Sequence, residues 1–257
     1  MNAIILRISR VKDTDAIVDW ITDEDQIITT YAARVYSSSA YPNGLELMNV
    51  YEIEFSQKPT QDMGRLTSAI SVEQFTQIIT DIPSYACACA AIEAVSDVCP
   101  KDNPVVSLFQ TLLATLAVMN TAHELSSTVL AWFECFMLNQ IGAMPNLDMC
   151  ANCAEPLKKT SWFQQELGFL CPKCAQQQTN IAPFVLEAIR KLRDQSIRTT
   201  VQNALSHHDE LQRRKILTPI LKFLTAILCD NSPIKRLKAH KYMAETALGC
   251  VDFIPEM

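Results

Sequence analysis

The chain has 257 residues, of which 49% are apolar, so it is long enough for one large domain or two modest ones with a real core. Its formal charge of −6 argues against a chain-wide affinity for polyanions. The first residues show no cationic start followed by an apolar run, so export is not expected, and the ten cysteines are expected to stay reduced rather than form a disulfide framework.

The first 70 residues predict about five short strands. In AIILRIS, Ile4, Leu6 and Ile8 fall on one face, and VYEIEF alternates apolar with acidic residues. DAIVDWIT is rich in β-branched residues, and QIITTYAAR and RLTSAIS complete the set. Five short strands indicate a small closed or partly closed barrel. The OB-fold is one such barrel, although other small barrels share this pattern.

After Pro83 the apolar residues recur with a helical period. Gly142 is expected to end one of these helices, and Pro219 to kink or divide another. The stretch Val105–Met119 is uncharged but shorter than the roughly 20 residues that a membrane span needs, so a buried core helix is favoured. The predicted helices cover residues 84–99, 105–119, 123–142, 184–195 and 210–229.

Two CxxC units, Cys150-Ala-Asn-Cys153 and Cys171-Pro-Lys-Cys174, are separated by seventeen residues. Zn²⁺ takes four ligands in a tetrahedron, and two such units supply four thiolates with the spacing of a zinc site. A site with four thiolates has no open position for water, so a structural Zn²⁺ is predicted. The segment between the units is expected to form a hairpin-like excursion that packs Trp162, Phe163, Phe169 and Leu170 beside the ion or onto the helices.

Six further cysteines lie mostly in apolar, helix-like stretches, where cysteine behaves as a small hydrophobe. They are expected in the core: Cys87, Cys89, Cys99, Cys135, Cys229 and Cys250. The predicted fold class is therefore α+β. An OB-fold barrel at residues 1–82 precedes an all-helical domain at residues 83–257, which contains a zinc-binding segment at residues 148–178.

No catalytic residues are predicted. A zinc deaminase needs a His-x-Glu element upstream of its cysteines, and a zinc protease helix needs a second His after His123-Glu124; neither is present. His207-His208 is more typical of a helix terminus or loop than of a catalytic base. With five glycines, the chain has no glycine-rich phosphate loop. An enzyme would need a site assembled from residues far apart in sequence.

Positive charge is concentrated late in the chain. Residues 186–245 carry 12 Lys and Arg against 6 Asp and Glu, whereas residues 1–82 carry 6 against 12. A clustered basic region in an acidic protein is either a polyanion-binding surface or a set of solvated helix faces.

These features, in this order, resemble the RecO family of bacterial recombination mediators. The resemblance begins at IILRISRVKDTDAIVDWIT, with Asp13-Thr-Asp15-Ala-Ile-Val, and continues through Tyr31-Ala-Ala-Arg34. FECFMLNQIGAMPNLDMCANC and GFLCPKC resemble the family's helix, glycine, proline and two CxxC units. KFLTAILCDNSPIKRLKAHKYM resembles its final helices. Each landmark is loose alone, but together they span nearly the whole chain.

The resemblance implies a cytoplasmic, nucleoid-associated protein that is not an enzyme and does not act at a membrane. Proteins of this family bind single- and double-stranded DNA, anneal complementary strands, associate with RecR and with the acidic C-terminal tail of single-strand-binding protein, and help load RecA. Lys and Arg would neutralise the two strands. The candidate DNA-binding residues are Arg7, Arg10, Lys12 and Arg34 in the barrel, and Arg190, Arg193, Arg213, Arg214, Lys215, Lys235, Arg236 and Lys238 in the late segment.

Two departures from the family pattern shape the functional hypothesis. Arg34 is followed by Val-Tyr-Ser-Ser-Ser instead of a glycine and a basic cluster, and the barrel segment is net acidic. Tyr31, Tyr36 and Tyr41 are either stacking surfaces for bases or barrel core. The hypothesis is that the late basic surface supplies much of the DNA contact or holds the acidic tail of single-strand-binding protein. The alternative is a zinc-stabilised protein–protein adaptor without direct DNA binding.

Overall fold

A closed five-stranded barrel forms the N-terminal part of the chain. The computed structural model describes residues 1–11, 13–35, 41, 44–58, 60–99, 105–157, 161–164, 167–175, 179–181, 183–205, 210–233 and 237–250. The strands are β1 (Asn2–Arg10), β2 (Ala16–Thr22), β3 (Ile27–Ala32), β4 (Asn49–Ser56) and β5 (Gly64–Gln74). Their order is β1-β2-β3-β5-β4, with β4 back on β1; all pairs are antiparallel except β3 with β5. The predicted OB-like barrel is confirmed.

Strand β1 has apolar residues on both faces. Ala3 and Ile5 point into the barrel, where Trp20 meets Tyr51 edge-on and donates its indole N–H to Thr30 Oγ1 at 2.8 Å. Ile4 and Leu6 point the other way and pack against the helices.

The expectation that Ile8 shares a face with Ile4 and Leu6 is wrong. Ile8 packs against the cluster inside the barrel. A break in the pairing between Ile5 and Arg7 shifts the register with β2, and a bulge of this kind reverses the alternation of side chains beyond it.

The helical part contains a helix at each of the five predicted positions. Its most buried elements are α2 (Ile82–Val98) and α4 (Ser126–Gln140), which pack on each other and on the later helices. Helix α4 ends at Gln140, and Gly142 follows with a positive φ of 72°. The helices are α1 (Thr76–Thr80), α2 (Ile82–Val98), α3 (Leu108–Thr121), α4 (Ser126–Gln140), α5 (Pro183–Asp194), α6 (Ile197–Leu205), α7 (Glu210–Asn231) and α8 (Lys238–Met243).

Helix α7 runs through Pro219 undivided, which leaves a kink as the predicted effect of this proline. Residues His123–Leu125 form a 3₁₀ turn before α4, and Ala244–Leu248 form a π-helical turn after α8. Among the described residues, no helix combines the length and the apolar character of a membrane span.

The barrel and the helices share side chains and polar contacts. The larger core cluster contains Ile4 and Ile21 of the barrel together with residues of the helices. Arg7 of β1 forms an ion pair with Asp97 of α2 and donates to Ser96 Oγ at 2.9 Å. The division into domains at residue 82 stays a prediction.

Asp25, in the turn between β2 and β3, caps helix α3 from outside that helix. Its carboxylate accepts the backbone N–H groups of Ser107 at 2.6 Å and Phe109 at 2.8 Å. Ser107 occupies the N-cap position with a φ of 62°, and its own side chain makes no capping hydrogen bond. A carboxylate at a helix N-terminus satisfies N–H groups that the helix itself leaves unpaired.

Replacement of Asp25 by alanine is therefore expected to lower the free energy of unfolding by about 1–2 kcal/mol. The measurement is chemical denaturation followed by circular dichroism. Glu24→Ala, in the same turn with an exposed side chain, is the control and should change little. Equal stability of the two variants would contradict the capping role.

A buried ionic cluster joins the four helices α2, α4, α7 and α8. His240 of α8 is fully buried, with Nδ1 at 2.9 Å from Glu93 Oε2 of α2 and Nε2 at 3.1 Å from Glu134 Oε1 of α4. Glu134 is also fully buried, and its carboxylate accepts the hydroxyl of Thr225 on α7. Glu93 also accepts the backbone N–H of Ala239 at 2.9 Å. Helix α8 is thus attached to α2 and α4 through the ionic contacts of His240, and its N-terminus is capped by Glu93.

Candidate functional site

The four paired cysteines come together at one point beneath a small sheet. Cys150–Cys153 forms a first tight turn, in which Ala154 N–H donates to the carbonyl of Cys150 at 2.9 Å and Ala154 adopts a φ of 56°. Cys171–Cys174 forms a second, with Cys174 N–H on the carbonyl of Cys171 at 3.0 Å. Each CxxC unit folds into a knuckle that brings its two thiols close to those of the other unit; Cys150 and Cys171 are buried, whereas Cys153 is exposed.

The sulfur positions fit one metal ion. All four Sγ atoms lie within 4.8 Å of one another, and Cys153 Sγ is 3.7 Å from Cys171 Sγ. Tetrahedral bonds of about 2.3 Å from zinc to sulfur place sulfur atoms roughly 3.8 Å apart. The group is therefore able to hold a metal ion with its four thiols as ligands.

The thiols also have the electrostatics of a metal site. Burial alone raises the pKa of the Cys150 thiol, but N–H groups of Cys171, Cys153 and Asn152 outweigh it and lower the pKa to about 6. At Cys153 the backbone of Glu155 lowers the pKa, but burial and the neighbouring thiols raise it to about 12. Four thiolates this close repel one another, and a bound cation removes that cost.

The segment between the knuckles forms the predicted hairpin. Strands β6 (Ser161–Gln164) and β7 (Gly168–Leu170) are antiparallel, and β8 (Thr179–Ile181) pairs with the other edge of β6. Ala151 N–H donates to the carbonyl of Phe169 at 2.8 Å, which joins the first knuckle to β7.

Aromatic side chains attach this hairpin to the helices, as expected. Phe163 and Phe169 lie 5.2 Å apart between ring centroids, and both contact Phe223 of α7, at 4.8 and 5.4 Å. Phe169 and Leu170 are buried, and Trp162 and Phe163 are half-buried against the larger core. Such aromatic contacts contribute beyond their buried area.

Two arginines predicted to bind DNA contact the cysteine-bearing segment. Arg190 of α5 donates to the carbonyl of Leu147 at 2.6 Å and of Leu157 at 3.2 Å. Arg193 forms ion pairs with Asp148 and Asp194, both at 2.7 Å, which raise the pKa of its guanidinium. Both side chains are half-buried. Their role in DNA binding stays a prediction. The hydrogen bonds and ion pairs of the two arginines position the cysteine-bearing segment against α5.

The remaining cysteines behave as small core residues. Burial raises the pKa of the Cys87, Cys99 and Cys135 thiols to about 12, so they stay protonated at neutral pH. Cys229 is also buried; Cys89 and Cys250 are half-buried and pack against the larger core. The prediction that these six are core is confirmed for the four buried ones.

On the barrel, Arg34 is exposed at the end of β3. Its backbone N–H donates to Asp15 Oδ1 at 2.9 Å, and Asp15 also accepts the Tyr31 hydroxyl. Arg65 of β5 is exposed as well and is the pairing partner of Tyr31. Sequence reasoning missed Arg65, because only the parallel pairing of β3 with β5 brings it to this edge.

The other barrel candidates are less available. Arg7 is paired with Asp97, and Arg10 donates to the carbonyl of Asp13 at 2.6 Å. Tyr41 is barrel core, with its hydroxyl on the carbonyl of Leu66 at 3.1 Å. Lys12 and Tyr36 lie outside the described residues.

The late basic residues are distributed over α5 to α8. Arg198, Lys215, Lys238 and Lys241 are exposed. Arg213 and Arg214 are half-buried and line a polar pocket of about 250 Å³ beside the start of α4. Lys235 and Arg236 lie outside the described residues.

The same pocket is a place to look for the catalytic site that an enzyme would have to assemble from residues far apart in sequence. Ser126 Oγ donates to the carbonyl of His123, and Ser127 Oγ lies 3.8 Å from Cys87 Sγ. The exposed His123 pairs with Glu124 at 3.8 Å. Within the described part of the pocket, no hydroxyl contacts an imidazole nitrogen, so no activated nucleophile is formed there.

Comparison with known proteins agrees with this architecture. Residues 79–224 match the family model described as "Recombination protein O C terminal". The chain belongs to the RecO family. The match covers helices α2 to α6, most of α7 and both knuckles.

Curated relatives extend the RecO match to the barrel. "DNA repair protein RecO" of Dehalococcoides mccartyi (strain ATCC BAA-2266 / KCTC 15142 / 195) is 28% identical over 195 residues, 75% of this chain and 76% of the relative. The protein of the same name from Anaeromyxobacter sp. (strain K) is 25% identical over 251 residues, 95% of each chain. That from Desulforamulus reducens is 26% identical over 236 residues, 86% of this chain and 88% of the relative. Similarity to RecO proteins therefore includes the barrel and the helical part.

Proposed function

We propose that this RecO family member is a mediator of DNA repair and homologous recombination. It binds single- and double-stranded DNA, anneals complementary strands, and with RecR helps load RecA onto DNA covered by single-strand-binding protein, whose acidic C-terminal tail it also binds. It works at the nucleoid in the cytoplasm and carries out no catalytic step. The observation that best supports this proposal is that the chain belongs to a family of DNA repair proteins. The chain also has a five-stranded barrel and a helical body with four clustered cysteines.

Clustered cations, exposed on the barrel and partly exposed on α7, support contact with DNA at two places. At the edge where β3 meets β5, Arg34 and Arg65 are exposed beside Tyr31, in a barrel type that binds single strands. On the helical body, Arg213, Arg214 and Lys215 are consecutive in α7. Two strands can pair only when their phosphate charge is neutralised, and Lys and Arg do this while releasing counterions.

The metal in this proposal is Zn²⁺, held by Cys150, Cys153, Cys171 and Cys174. Four thiolate ligands suit zinc and leave no position for a reacting water. The metal would stabilise the fold. Arg190 and Arg193 of α5 and Phe223 of α7 would fix the metal-holding segment to the helical body.

Reversal of two charges on α7 tests the contribution of the helical body. Arg213→Glu with Lys215→Glu is expected to lower the affinity for single-stranded DNA at low salt about 10-fold or more. Since each neutralised phosphate contributes about 0.7 to the slope of log affinity against log salt, the slope should fall by about 1.4. Fluorescence anisotropy of a labelled oligonucleotide across a salt series measures both quantities.

The control carries the same change of charge elsewhere, as Lys58→Glu with Lys173→Glu. Both lysines are exposed and lie outside α7. An unchanged affinity and an unchanged slope in the α7 variant would remove the helical body from the proposed DNA surface.

The adaptor alternative rests on a different surface. Ile70 and Val72 of β5 are more than half exposed, at 56% and 54%, and Ile70 pairs with the acidic Glu52 of β4. An exposed apolar pair beside carboxylates favours a protein partner over DNA at this face. Absence of binding to single-stranded DNA even at low salt would favour this alternative.

A further inference from the structure

A single carboxylate, that of Asp15, holds the end of β3 at the edge where β3 meets β5. Asp15 directly precedes β2, and Ile17 of β2 lies opposite Tyr31 of β3. Asp15 Oδ1 accepts the backbone N–H of Arg34 at 2.9 Å, and Oδ2 accepts the hydroxyl of Tyr31. Both oxygens of one side chain therefore fix residues that lie 16 and 19 positions later.

The backbone at Arg34 is in a conformation that needs support. Its φ of 57° lies in the left-handed region, which a residue with a Cβ rarely adopts. Its N–H is held by Asp15, and the N–H of Val35 donates to the carbonyl of Thr14 at 2.7 Å. The Arg34 side chain is exposed, and no described residue forms a hydrogen bond or an ion pair with its guanidinium. Strained backbone of this kind is often found where it directs a functional side chain.

Tyr31 is held by its hydroxyl while its ring stays at the surface. The residue is half-buried, and among the described residues neither hydrophobic cluster includes it. The hydrogen bond to Asp15 raises the pKa of the phenol, and the nearby charge of Arg65 acts in the opposite direction. Because the hydroxyl already donates to Asp15, the ring is the part of Tyr31 that remains for a ligand.

The charge of Asp15 is unfavourable at a surface that binds DNA. Arg34 and Arg65 are both exposed at this edge, and a carboxylate near them weakens their attraction for phosphate. Asp15 therefore has to contribute something that offsets this electrostatic cost. Its hydrogen bonds to Arg34 and Tyr31 are such a contribution, because contact groups that are already ordered lose less conformational entropy on binding.

We propose that Asp15 is a positioning residue for single-stranded DNA. It holds the Tyr31 ring in place for stacking on one base and directs the Arg34 guanidinium towards a neighbouring phosphate. Arg65, opposite Tyr31 on β5, binds phosphate as well. Stacking on a ring face accepts any base, so this subsite carries no sequence preference. The role of Asp15 rests on the proposed binding of single-stranded DNA by the barrel.

The first measurement compares the affinities of the full chain and its variants for a fluorescein-labelled oligothymidylate at low salt, by anisotropy. Asp15→Ala is expected to bind about 5-fold more weakly than the unmodified chain, the lower end of the effect of losing one stacked base. Asp13→Ala removes the same charge from the same loop, where its side chain is exposed, and should bind equally or more tightly. The two substitutions differ in their expected effect, although each removes one carboxylate.

A second comparison separates positioning from a general effect on the fold. In a chain that carries Tyr31→Ala and Arg34→Ala, the groups that Asp15 positions are absent. Addition of Asp15→Ala to that chain should no longer weaken binding. In the otherwise unmodified chain, Asp15→Asn keeps an oxygen for the Arg34 N–H and places an amide against the Tyr31 hydroxyl, so it should bind within about 2-fold of the unmodified chain.

The ring of Tyr31 gives a direct readout of stacking. In nuclear magnetic resonance spectra of the full chain with ¹³C-labelled tyrosine, the Tyr31 signal is assigned by its absence in Tyr31→Phe. Addition of unlabelled oligothymidylate should shift this signal upfield, because a stacked base shields the ring protons. In Asp15→Ala the shift should be smaller.

Four results would overturn the positioning role. They are equal or tighter binding by Asp15→Ala, an equal loss in the chain with Tyr31→Ala and Arg34→Ala, a loss in Asp15→Asn as large as in Asp15→Ala, and a Tyr31 signal that bound oligothymidylate leaves unmoved. The last of these applies even if Asp15→Ala does not fold. If the unmodified chain binds the oligothymidylate, any of them refutes the role of Asp15 and leaves the proposed function standing. If the unmodified chain does not bind it even at low salt, the proposed binding of DNA fails, and the role of Asp15 fails with it.

Discussion

Replacement of Cys150 and Cys153 by serine is expected to prevent binding of the proposed Zn²⁺ and to lower the free energy of unfolding by about 5 kcal/mol or more. Structural zinc sites bind with roughly 10–16 kcal/mol, and much of this is available only to the folded chain. Two serines leave two thiols, which do not complete a tetrahedron. Zinc content per chain and the denaturation midpoint measure the two effects.

The loss is expected to extend beyond the knuckles. Arg190 holds the carbonyls of Leu147 and Leu157, on either side of the first CxxC unit, and Phe223 packs on both strands of the hairpin. Once the knuckles open, the contacts of α5 and α7 with this segment are lost as well. Loss of helical signal should therefore accompany loss of zinc.

Lys173→Ala is the matched control, because it lies between Cys171 and Cys174 and keeps all four thiols. Its ammonium is exposed and pairs with Glu155 at 3.1 Å, so its removal should cost little. A double-serine variant that melts like the unmodified protein would show that the metal contributes nothing to the fold.

Replacement of His240 by glutamine is expected to destabilise the protein by about 3–5 kcal/mol near pH 6, because it leaves the buried Glu134 without its charged partner. Burial alone lowers the pKa of His240, but its contacts with Glu134 and then Glu93 outweigh this and raise the pKa to about 9. The imidazolium is therefore the form that stabilises the fold at neutral pH.

The sign of the pH dependence follows from these shifts. A histidine whose pKa rises from 6.5 to about 9 on folding contributes stability that is complete below pH 6.5 and is lost as the pH rises through 9. Burial raises the pKa of Glu134, which acts in the same direction. For Glu93, burial alone raises the pKa, but its bonds with His240 and the Ala239 backbone lower it, so its contribution is lost in acid.

Unfolding free energy is therefore expected to fall by roughly 2 kcal/mol between pH 6 and 8.5, at about 1.4 kcal/mol per pKa unit. Urea denaturation at several pH values measures the slope below the range in which the core thiols of Cys87, Cys99 and Cys135 titrate. Glu134→Gln with His240→Gln removes both groups and should flatten the slope. His123→Gln, at an exposed position, should keep it; a steep slope in the double variant would contradict this assignment.

The sequence predicts those features that depend on local pattern. Alternation and β-branched residues identified the five strands, and the CxxC spacing identified the four thiols before their positions were known. Gly142 ended α4 as expected, since a residue with positive φ follows the helix. Each strand, the end of α4 and the pair of CxxC units is encoded within a stretch no longer than that from Cys150 to Cys174.

Features that depend on distant pairs were not predicted. His240 and Glu93 are 147 positions apart, and no local pattern indicates that they meet. Arg190 and Arg193 carry the charge of a DNA-binding surface, but their contacts are with the cysteine-bearing segment. A cluster of basic residues in a sequence therefore does not by itself locate a polyanion-binding surface. The contacts of each Lys and Arg within the protein have to be known first.

The two-sided strand β1 has a consequence for how this barrel could evolve. Ile4 and Leu6 face the helices, while Ala3 and Ile5 fill the barrel interior. Transplanted alone, such a barrel would present an apolar outer wall to water and tend to aggregate. The barrel therefore cannot simply be exchanged between proteins. A new helical neighbour would require changes at Ile4 and Leu6, which alternate along one strand with residues that fill the barrel.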